Sequence, residues 1–472
     1  MPAALSRVEL RPLSLDRFAA VLPAERWAEF ERVRVRTAEE LDGSVVWNLN
    51  STAAGGGVAE ILTSLIAYAV DGGVDARWLV VHAEPAFFTL TKRIHNNLHG
   101  SPGDGGGLGP VERELYERGL AAAAAELAAT VSRGDVVILH DPQTAGLVPA
   151  LKAAGVRRVV WRCHIGIDQP HPIAQRAWDF LGGYLEPADA VIMSRAAFAW
   201  QGWDPARLRI VAPSIDAFST KNVDLPDGAV PRILAAAGVL RGGAGGEYVH
   251  SRDDGTAIVV RHSAEMVEEE PLDPAADLVL QVSRWDRLKD PAGVVEGFAR
   301  TTAPHNDAHL MLAGPQAVAD DPESAVVLAE AIAQWRALPD ELRRRVHLAA
   351  LSMADVEENA LVVNALQRHA AVVVQKSLAE GFGLTVSEAM WKSRPVVASR
   401  VGGIQDQIES GRSGVLLDDP GDLRAYGESL ITLLADPGMR ARIGEAARER
   451  VISDFLATRH LEQWSAVVGG LV

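Results

Sequence analysis

Short apolar runs recur along the chain at intervals long enough to hold a helix between them. In the first half they occupy residues 45–49, 78–82, 136–140, 159–163, 190–193 and 210–212. In the second half they occupy 278–282, 309–313, 346–350, 371–375, 396–399 and 415–417. These runs are rich in Val and Leu and mostly lack the polar alternation of a half-solvated strand. They therefore predict strands buried on both faces of parallel sheets. The stretches 59–70, 112–132, 325–337 and 386–392 between them read as helices. Strand–helix repetition in two sets predicts an α/β protein with two doubly wound, Rossmann-like domains.

The rhythm breaks over residues 214–277, which carry Pro226, Pro231, a Gly-rich stretch at 241–246 and the acidic Glu268, Glu269 and Glu270. The expected organisation is thus a first domain over 1–213, a connection with some structure of its own over 214–277, a second domain over 278–439, and closing helices over 440–472. The Gly-rich part of the connection reads as a flexible linker, and a second Gly-rich stretch at 101–109 as a mobile loop.

Composition narrows the class. The 472 residues suit two to four domains, and the 48% hydrophobic and 23% charged fractions exclude disorder over most of the chain. With 46 Lys and Arg against 62 Asp and Glu, the formal charge is −16. Such a chain makes a poor general nucleic-acid binder, and any anionic ligand must be held by a local cluster of cations. Cys163 is the single cysteine, so no intramolecular disulfide forms. Arg7, Glu9 and Arg11 interrupt the apolar residues of the N-terminus, and nowhere do about 18 apolar residues run together. The expectation is a cytoplasmic protein with no membrane span.

In open α/β sheets, ligands bind outside the carboxyl ends of the strands, which nominates positions before any motif does. After the first run come Asn50, Gly55, Gly56, Gly57 and Glu60, where glycines let backbone approach a ligand and the next helix points its amides at the same space. The dinucleotide spacing G-x-G-x-x-G is absent, and the pattern fits a tight turn as well as a ligand loop. Two later runs end at His140-Asp141-Pro142-Gln143 and at Arg162-Cys163-His164. A His at a strand end serves structure or function. A metal site from His140, Asp141 and His164 would lack any recognised ligand spacing.

The second half carries more chemistry. After the run at 278–282 come Arg284 and Lys289, either a solvated basic pair or a clamp for a diphosphate. After the run at 371–375 comes Glu380-Gly381-Phe382-Gly383-Leu384-Thr385-Val386-Ser387-Glu388. The glycines free the backbone, and a helix starting near Thr385 offers unpaired amides to phosphate oxygens. Glu380 in the loop and Glu388 one turn into the helix can address different hydroxyls of one ligand, which describes a sugar nucleotide. A glycosidase pair would need the two carboxylates to flank one bond, for which a single loop–helix segment is badly suited.

The Glu-x7-Glu pair with the upstream Arg284 and Lys289 resembles the retaining GT-B enzymes of glycosyltransferase family 4. The stretches VWNLNSTAAGGGVAE at 46–60, HDPQ at 140–143, WRCHI at 161–165 and EGFGLTVSEAMWK at 380–392 are similar to those of the trehalose glycosyltransferring synthases within it. The resemblance implies the GT-B fold, two Rossmann-like domains facing a central cleft, the first on the acceptor side. It implies transfer of glucose, with retention and reversibly, from a nucleoside-diphosphate-glucose to glucose, giving α,α-trehalose. No tightly bound cofactor and no metal are implied, and the partners are a small sugar and a sugar nucleotide. Whether the chain works alone or as a homodimer stays open.

By position, the resemblance makes Arg284 and Lys289 the donor diphosphate clamp, with amides around Gly383, Leu384 and Thr385. Glu388 would hold the ribose and Glu380 the donor glucose hydroxyls. Gly56 and Gly57 would approach the donor phosphate. His164 would sit near the donor sugar, and Asn50, Glu60 and Asp141 would belong to the sugar sites. The broad family usually has Gly-Arg before the clamp and Lys-Gly within it; here Ser283 precedes Arg284 and Asp290 follows Lys289. Two other readings remain: a retaining trehalose phosphorylase using inorganic phosphate, and a non-catalytic sugar-nucleotide-binding protein.

Overall fold

The computed structural model describes residues 4–53, 57–241, 246–252, 255–316 and 322–471. The chain forms two compact units, one of Met1–Ile215 with Asp454–Val472 and one of Asp216–Ser453. Each contains a seven-stranded sheet covered by helices, the doubly wound arrangement expected from the strand pattern.

In the first unit the strands are β1 (Leu5–Val8), β2 (Val46–Asn50), β3 (Ala76–Val81), β4 (Val136–His140), β5 (Arg158–Cys163), β6 (Ala190–Met193) and β7 (Leu208–Ile210), in the order β1-β3-β2-β4-β5-β6-β7. All neighbours are parallel except β1 on β3. Every residue of β2 and β4 is buried, as expected of strands covered on both faces. One sheet face packs Leu49, Leu139, Val159 and Trp161 against Leu90 and Ile94 of the helix Pro85–Leu98 and Leu120 and Leu127 of the helix Pro110–Thr130. Each such side chain contributes about 1.5–3 kcal/mol by leaving water.

The first strands of the second unit form the hairpin β8 (Tyr248–Ser251) and β9 (Ala257–Val260). Its sheet runs β10-β13-β12-β11-β14-β15-β16, from β10 (Glu265–Val267), β11 (Leu278–Val282), β12 (His309–Pro315), β13 (Val346–Leu351), β14 (Val372–Gln375), β15 (Val396–Ser399) and β16 (Val415–Leu417). Only β10 is antiparallel. Val279, Leu310, Leu312, Val346, Val372 and Val397 form its core with Phe298 and Leu430.

Both sheets reverse direction beside their first parallel strand. The chain adds β3 on one side of β2 and then starts again with β4 on the other; likewise β12 and β13 lie on one side of β11, and β14 on the other. These switch points are where such folds open a crevice for a ligand. The sequences that follow β2, β4, β11 and β14 are the ones singled out for their chemistry.

Residues 216–277 carry structure of their own. The helix Ala229–Ala236 packs on the helix Val356–His369, and Asn364 Nδ2 donates to Thr220 O at 3.0 Å and Val223 O at 2.8 Å. Residues 242–245, which hold most of the Gly-rich stretch, lie outside the described residues. The 101–109 loop is braced by Arg93, which pairs with Asp104 at 2.5 Å and donates to Gly107 O at 2.7 Å. The helix Pro437–Asp454 ends where the chain re-enters the first unit, and the helix Ala457–Gly469 packs there. Among the described residues, no helix is long and apolar enough to cross a membrane.

Candidate functional site

In the second unit the loops after β11 and β14 are stitched together by Gln281. This residue is 1% exposed on β11. Its Nε2 donates to Lys289 O at 2.9 Å, while its Oε1 accepts from Lys376 N at 3.2 Å. Asp286 accepts from Leu288 N at 2.8 Å and so fixes the turn that presents Lys289. Lys289 pairs with Glu380, and both side chains are largely shielded from water. Glu380 also accepts from Ser377 Oγ at 3.3 Å. Arg284 stands exposed, 3.3 Å from Asp286. Its guanidinium has the reach to meet an anion arriving at this loop.

The loop leading into the helix Leu384–Trp391 is set by backbone rather than by side-chain charge. Gly383 caps the helix at φ 83°, and a Cβ there would lie 2.9 Å from Ile404 Cγ1. Gly403 N donates to Gly381 O at 2.8 Å, and Gln407 Nε2 donates to Phe382 O at 2.5 Å. Thr385 Oγ1 is spent on Gln375 Oε1 at 3.1 Å. What Leu384 and Thr385 can offer a ligand is therefore backbone N–H, which the first turn of a helix leaves without internal acceptors.

Glu388, one turn on, is 2% exposed. Its Oε1 lies 3.5 Å from Lys221 Nζ, whereas its Oε2 is buried without a hydrogen-bond partner. A buried carboxylate oxygen left bare is costly unless a ligand hydroxyl completes it. One turn further, Lys392 is buried and donates to Asn222 Oδ1 at 2.9 Å, Gln367 Oε1 at 2.8 Å and Glu388 O at 3.1 Å. Burial pulls its ammonium down to about 7, against three oxygen acceptors that match the three donors of the charged form. We assign Lys392 to holding this helix rather than to chemistry.

In the first unit, the ends of β4 and β5 meet. His140 and His164 stack with ring centroids 5.4 Å apart and 15° between planes. Asp141 holds a φ of 62°, in the left-handed region, and its carboxylate accepts from His164 N at 2.8 Å. His164 Nδ1 lies 3.2 Å from both Asp141 oxygens, and His164 Nε2 accepts from Arg162 Nε at 2.7 Å. Asp141 is lowered from its ordinary value: burial opposes its charge, but the hydrogen bonds from His164 favour it. His164 is pushed below its ordinary value, chiefly by burial. The three residues are not arranged as metal ligands, since His140 Nε2 faces Asn48 Oδ1 at 3.2 Å and both His164 nitrogens are taken.

The remaining nominated residues fall nearby in the fold with different degrees of commitment. Asn50, at the end of β2, is 4% exposed; its Oδ1 accepts from Trp78 Nε1 at 2.8 Å and its Nδ2 donates to Thr52 O at 2.7 Å. Its side chain braces the loop that follows. Gly57 and Glu60 are exposed on the first turn of the helix Gly57–Asp71. Gly56 lies outside the described residues.

Comparison with known proteins gives this geometry its context. Residues 48–200 match the family described as trehalose synthase, N-terminal domain, and residues 263–450 match glycosyl transferases group 1. The chain is 33% identical over 458 residues to the trehalose synthase of Rubrobacter xylanophilus, covering 97% of each. The chain belongs to the trehalose synthase family. Another relative, the trehalose synthase of Pyrococcus horikoshii, is 32% identical over 434 residues and 92% of each chain. The trehalose phosphorylase of Pleurotus pulmonarius is 27% identical, over 88% of this chain and 55% of that one. Among solved structures, a UDP-forming α,α-trehalose-phosphate synthase from Burkholderia xenovorans has a TM-score of 0.65 at 14% identity, covering 91% of this chain and 100% of that one. A sucrose-phosphate synthase from Thermosynechococcus elongatus has a TM-score of 0.62 at 18% identity, covering 91% and 100%. These likenesses establish the fold, GT-B.

Three residues of this member of the trehalose synthase family were not nominated as site residues from the sequence. Lys221 sits in the Pro-rich stretch, 167 positions from the carboxylate it approaches, with no motif around it. Lys376, 1% exposed and paired with Asp290, lies beside a motif but outside its spacing. Arg162 did leave a signal: a lone charge inside the apolar run of β5.

Proposed function

We propose that this glycosyltransferase moves glucose, with retention and reversibly, from a nucleoside-diphosphate-glucose to free glucose, forming α,α-trehalose. The observation that carries the reading is similarity to trehalose synthases along nearly the whole length of both chains. Similarity to the phosphorylase covers 55% of that longer protein. Glu388, with its bare buried oxygen, supports a nucleotide ribose as its partner.

In this mechanism Arg284, Lys289 and the first amides of the helix Leu384–Trp391 take the diphosphate, and Glu380 takes hydroxyls of the donor glucose. Gly57 and Gly56 approach the donor phosphate, while Asp141, His164, Asn50 and Glu60 serve the sugars. Lys289 bridges the diphosphate and Glu380, with which it already pairs. The bond from the anomeric carbon to the diphosphate oxygen breaks, and the acceptor hydroxyl bonds to that carbon from the same face. Its proton passes to an oxygen of the departing diphosphate, so no enzyme base is needed. Stabilising that leaving group with fixed charges and amides supplies most of the rate.

The test is incubation with glucose and ADP-, UDP- or GDP-glucose in turn, with the product identified by its anomeric NMR signals. At least one donor is expected to give α,α-trehalose. Product from none of them, with glucose 1-phosphate and glucose giving trehalose instead, would assign the chain to phosphorolysis.

A further inference from the structure

Beneath the strand-end cluster of the first unit runs a buried hydrogen-bond chain that starts at Arg162, a residue the mechanism above does not use. Arg162 is 1% exposed on β5. Its Nε donates to His164 Nε2 at 2.7 Å, its Nη2 donates to Val211 O at 3.2 Å, and its guanidinium lies over the Trp464 ring at 5.4 Å. Its Nη1 is buried without a hydrogen-bond partner. A guanidinium only donates, so His164 Nε2 must accept and carries no proton. Asp141, an ionised carboxylate, only accepts, so the ring proton sits on Nδ1. The hydrogen-bond network thus assigns His164 as the neutral tautomer with both nitrogens occupied.

That assignment has a chemical consequence. An imidazole with both nitrogens occupied has no lone pair for an acceptor proton and no N–H to donate to a departing oxygen. The carboxylate on its other side retains acceptor capacity, because ionised Asp141 can take about four hydrogen bonds. Asp141 holds its left-handed backbone conformation, φ 62°, which Asp adopts more readily than most residues.

We propose that Arg162 is a positioning residue of the sugar site: by occupying His164 Nε2 from below it locks the ring neutral and aims its Nδ1 proton at Asp141, so that the Asp141 carboxylate, rather than the imidazole, receives a sugar hydroxyl. The proposal rests on the reading of this cluster as a sugar site. The groups facing His164 are His140 at the end of β4, Asp141 just after it, Arg162 from β5 and His460 from the helix Ala457–Gly469, with Arg459 of the same helix acting on Arg162. Burial, with the Arg162 cation in support, outweighs Asp141 and disfavours a second proton on the ring.

Two measurements test it. In wild-type protein labelled with 15N-histidine, the His164 ring, identified by its loss in His164→Gln, is expected to give the pattern of a neutral ring protonated at Nδ1. That pattern should persist from about pH 8 to about pH 6, through the ordinary titration range of histidine. A ring protonated at Nε2, or an imidazolium at neutral pH, overturns the proposal whatever the substrate proves to be. In turnover, Arg162→Met is expected to lower kcat about tenfold or more with little change in KM for the nucleotide donor. It should also add an ionisation near pH 6–7 to the rate profile, about the ordinary value of a released imidazole. Arg162→Lys, which keeps a donor, should recover most of the loss. Wild-type kcat and an unchanged profile in a folded Arg162→Met overturn the proposal; should that variant fail to fold, the wild-type ring pattern decides alone. Because the NMR measurement uses no substrate, a wrong sugar assignment and a wrong role for Arg162 fail separately.

Discussion

Position 290 illustrates how one residue can combine two demands. Asp290 holds a φ of 49°, where the broad family to which this sequence is similar usually has glycine. Its carboxylate caps the helix Pro291–Gly297 through Gly293 N at 3.0 Å and pairs with the buried Lys376. The left-handed conformation costs about 1–2 kcal/mol, but an ammonium buried without its counter-ion costs about 3–5 kcal/mol. The charge pair wins. Asp290→Gly, although it relieves the backbone, is therefore expected to lower Tm in thermal unfolding followed by circular dichroism, and Lys376→Met in the same chain to recover most of the loss. A Tm at or above that of the wild type in the single variant would show that the pair is dispensable. The residue scale is also where sequence reading stopped short. The Glu380 and Glu388 spacing was legible, but Lys221, which approaches Glu388, and Lys376, which pairs with Asp290, depend on chain crossings that no local pattern encodes.

At the scale of elements, the donor-side loop is shaped by close backbone approach. Gly402, at φ 49°, lies so near the Glu380–Gly381 backbone that a Cβ would fall 1.8 Å from Glu380 O. Gly402→Ala must push that loop away and disturb the pairing of Glu380 with Lys289. The expected result is a rise in KM for the nucleotide donor of about tenfold, with the circular dichroism spectrum retained. An unchanged donor KM would mean that the loop moves freely and does not set the site. The parallel strands themselves were readable because burial on both faces leaves an unbroken apolar run, as in β4 and β14. The strands β1, β10 and the β8–β9 hairpin were not. Edge and hairpin strands keep one face or one rim in water, so β1 and β10 carry charges and β8 alternates in burial.

On the scale of the whole molecule, the repeated strand pattern revealed two Rossmann-like units, but not that the last helix belongs with the first. The helices Pro437–Asp454 and Ala457–Gly469 follow one another across Phe455 and Leu456, and only tertiary contact assigns them to different units. That final helix brings His460 to the cluster of His140 and His164, and all three rings are pushed below their ordinary value mainly by burial. As pH falls through about 6.5, the unfolded chain takes up protons that these folded rings refuse, so stability falls with pH. Each ring contributes up to about 1.4 kcal/mol per pH unit in that window. The urea midpoint of the first unit should decline steadily from about pH 7.5 to about pH 5.5; a flat midpoint would show that the rings titrate freely when folded.

The formal charge of −16 hides a local concentration of cations: Arg284 and Lys289 both follow β11 at the switch point of the second sheet. The central claim is that this charge cluster serves a nucleoside diphosphate and that the sugar product is trehalose. The most direct measurement incubates the protein with α,α-trehalose and either a nucleoside diphosphate or inorganic phosphate, and follows free glucose. Glucose release that requires ADP, UDP or GDP, and is abolished or reduced by orders of magnitude in Arg284→Ala and Lys289→Ala, is the predicted result. Release supported by phosphate alone, or untouched by both substitutions, would contradict it.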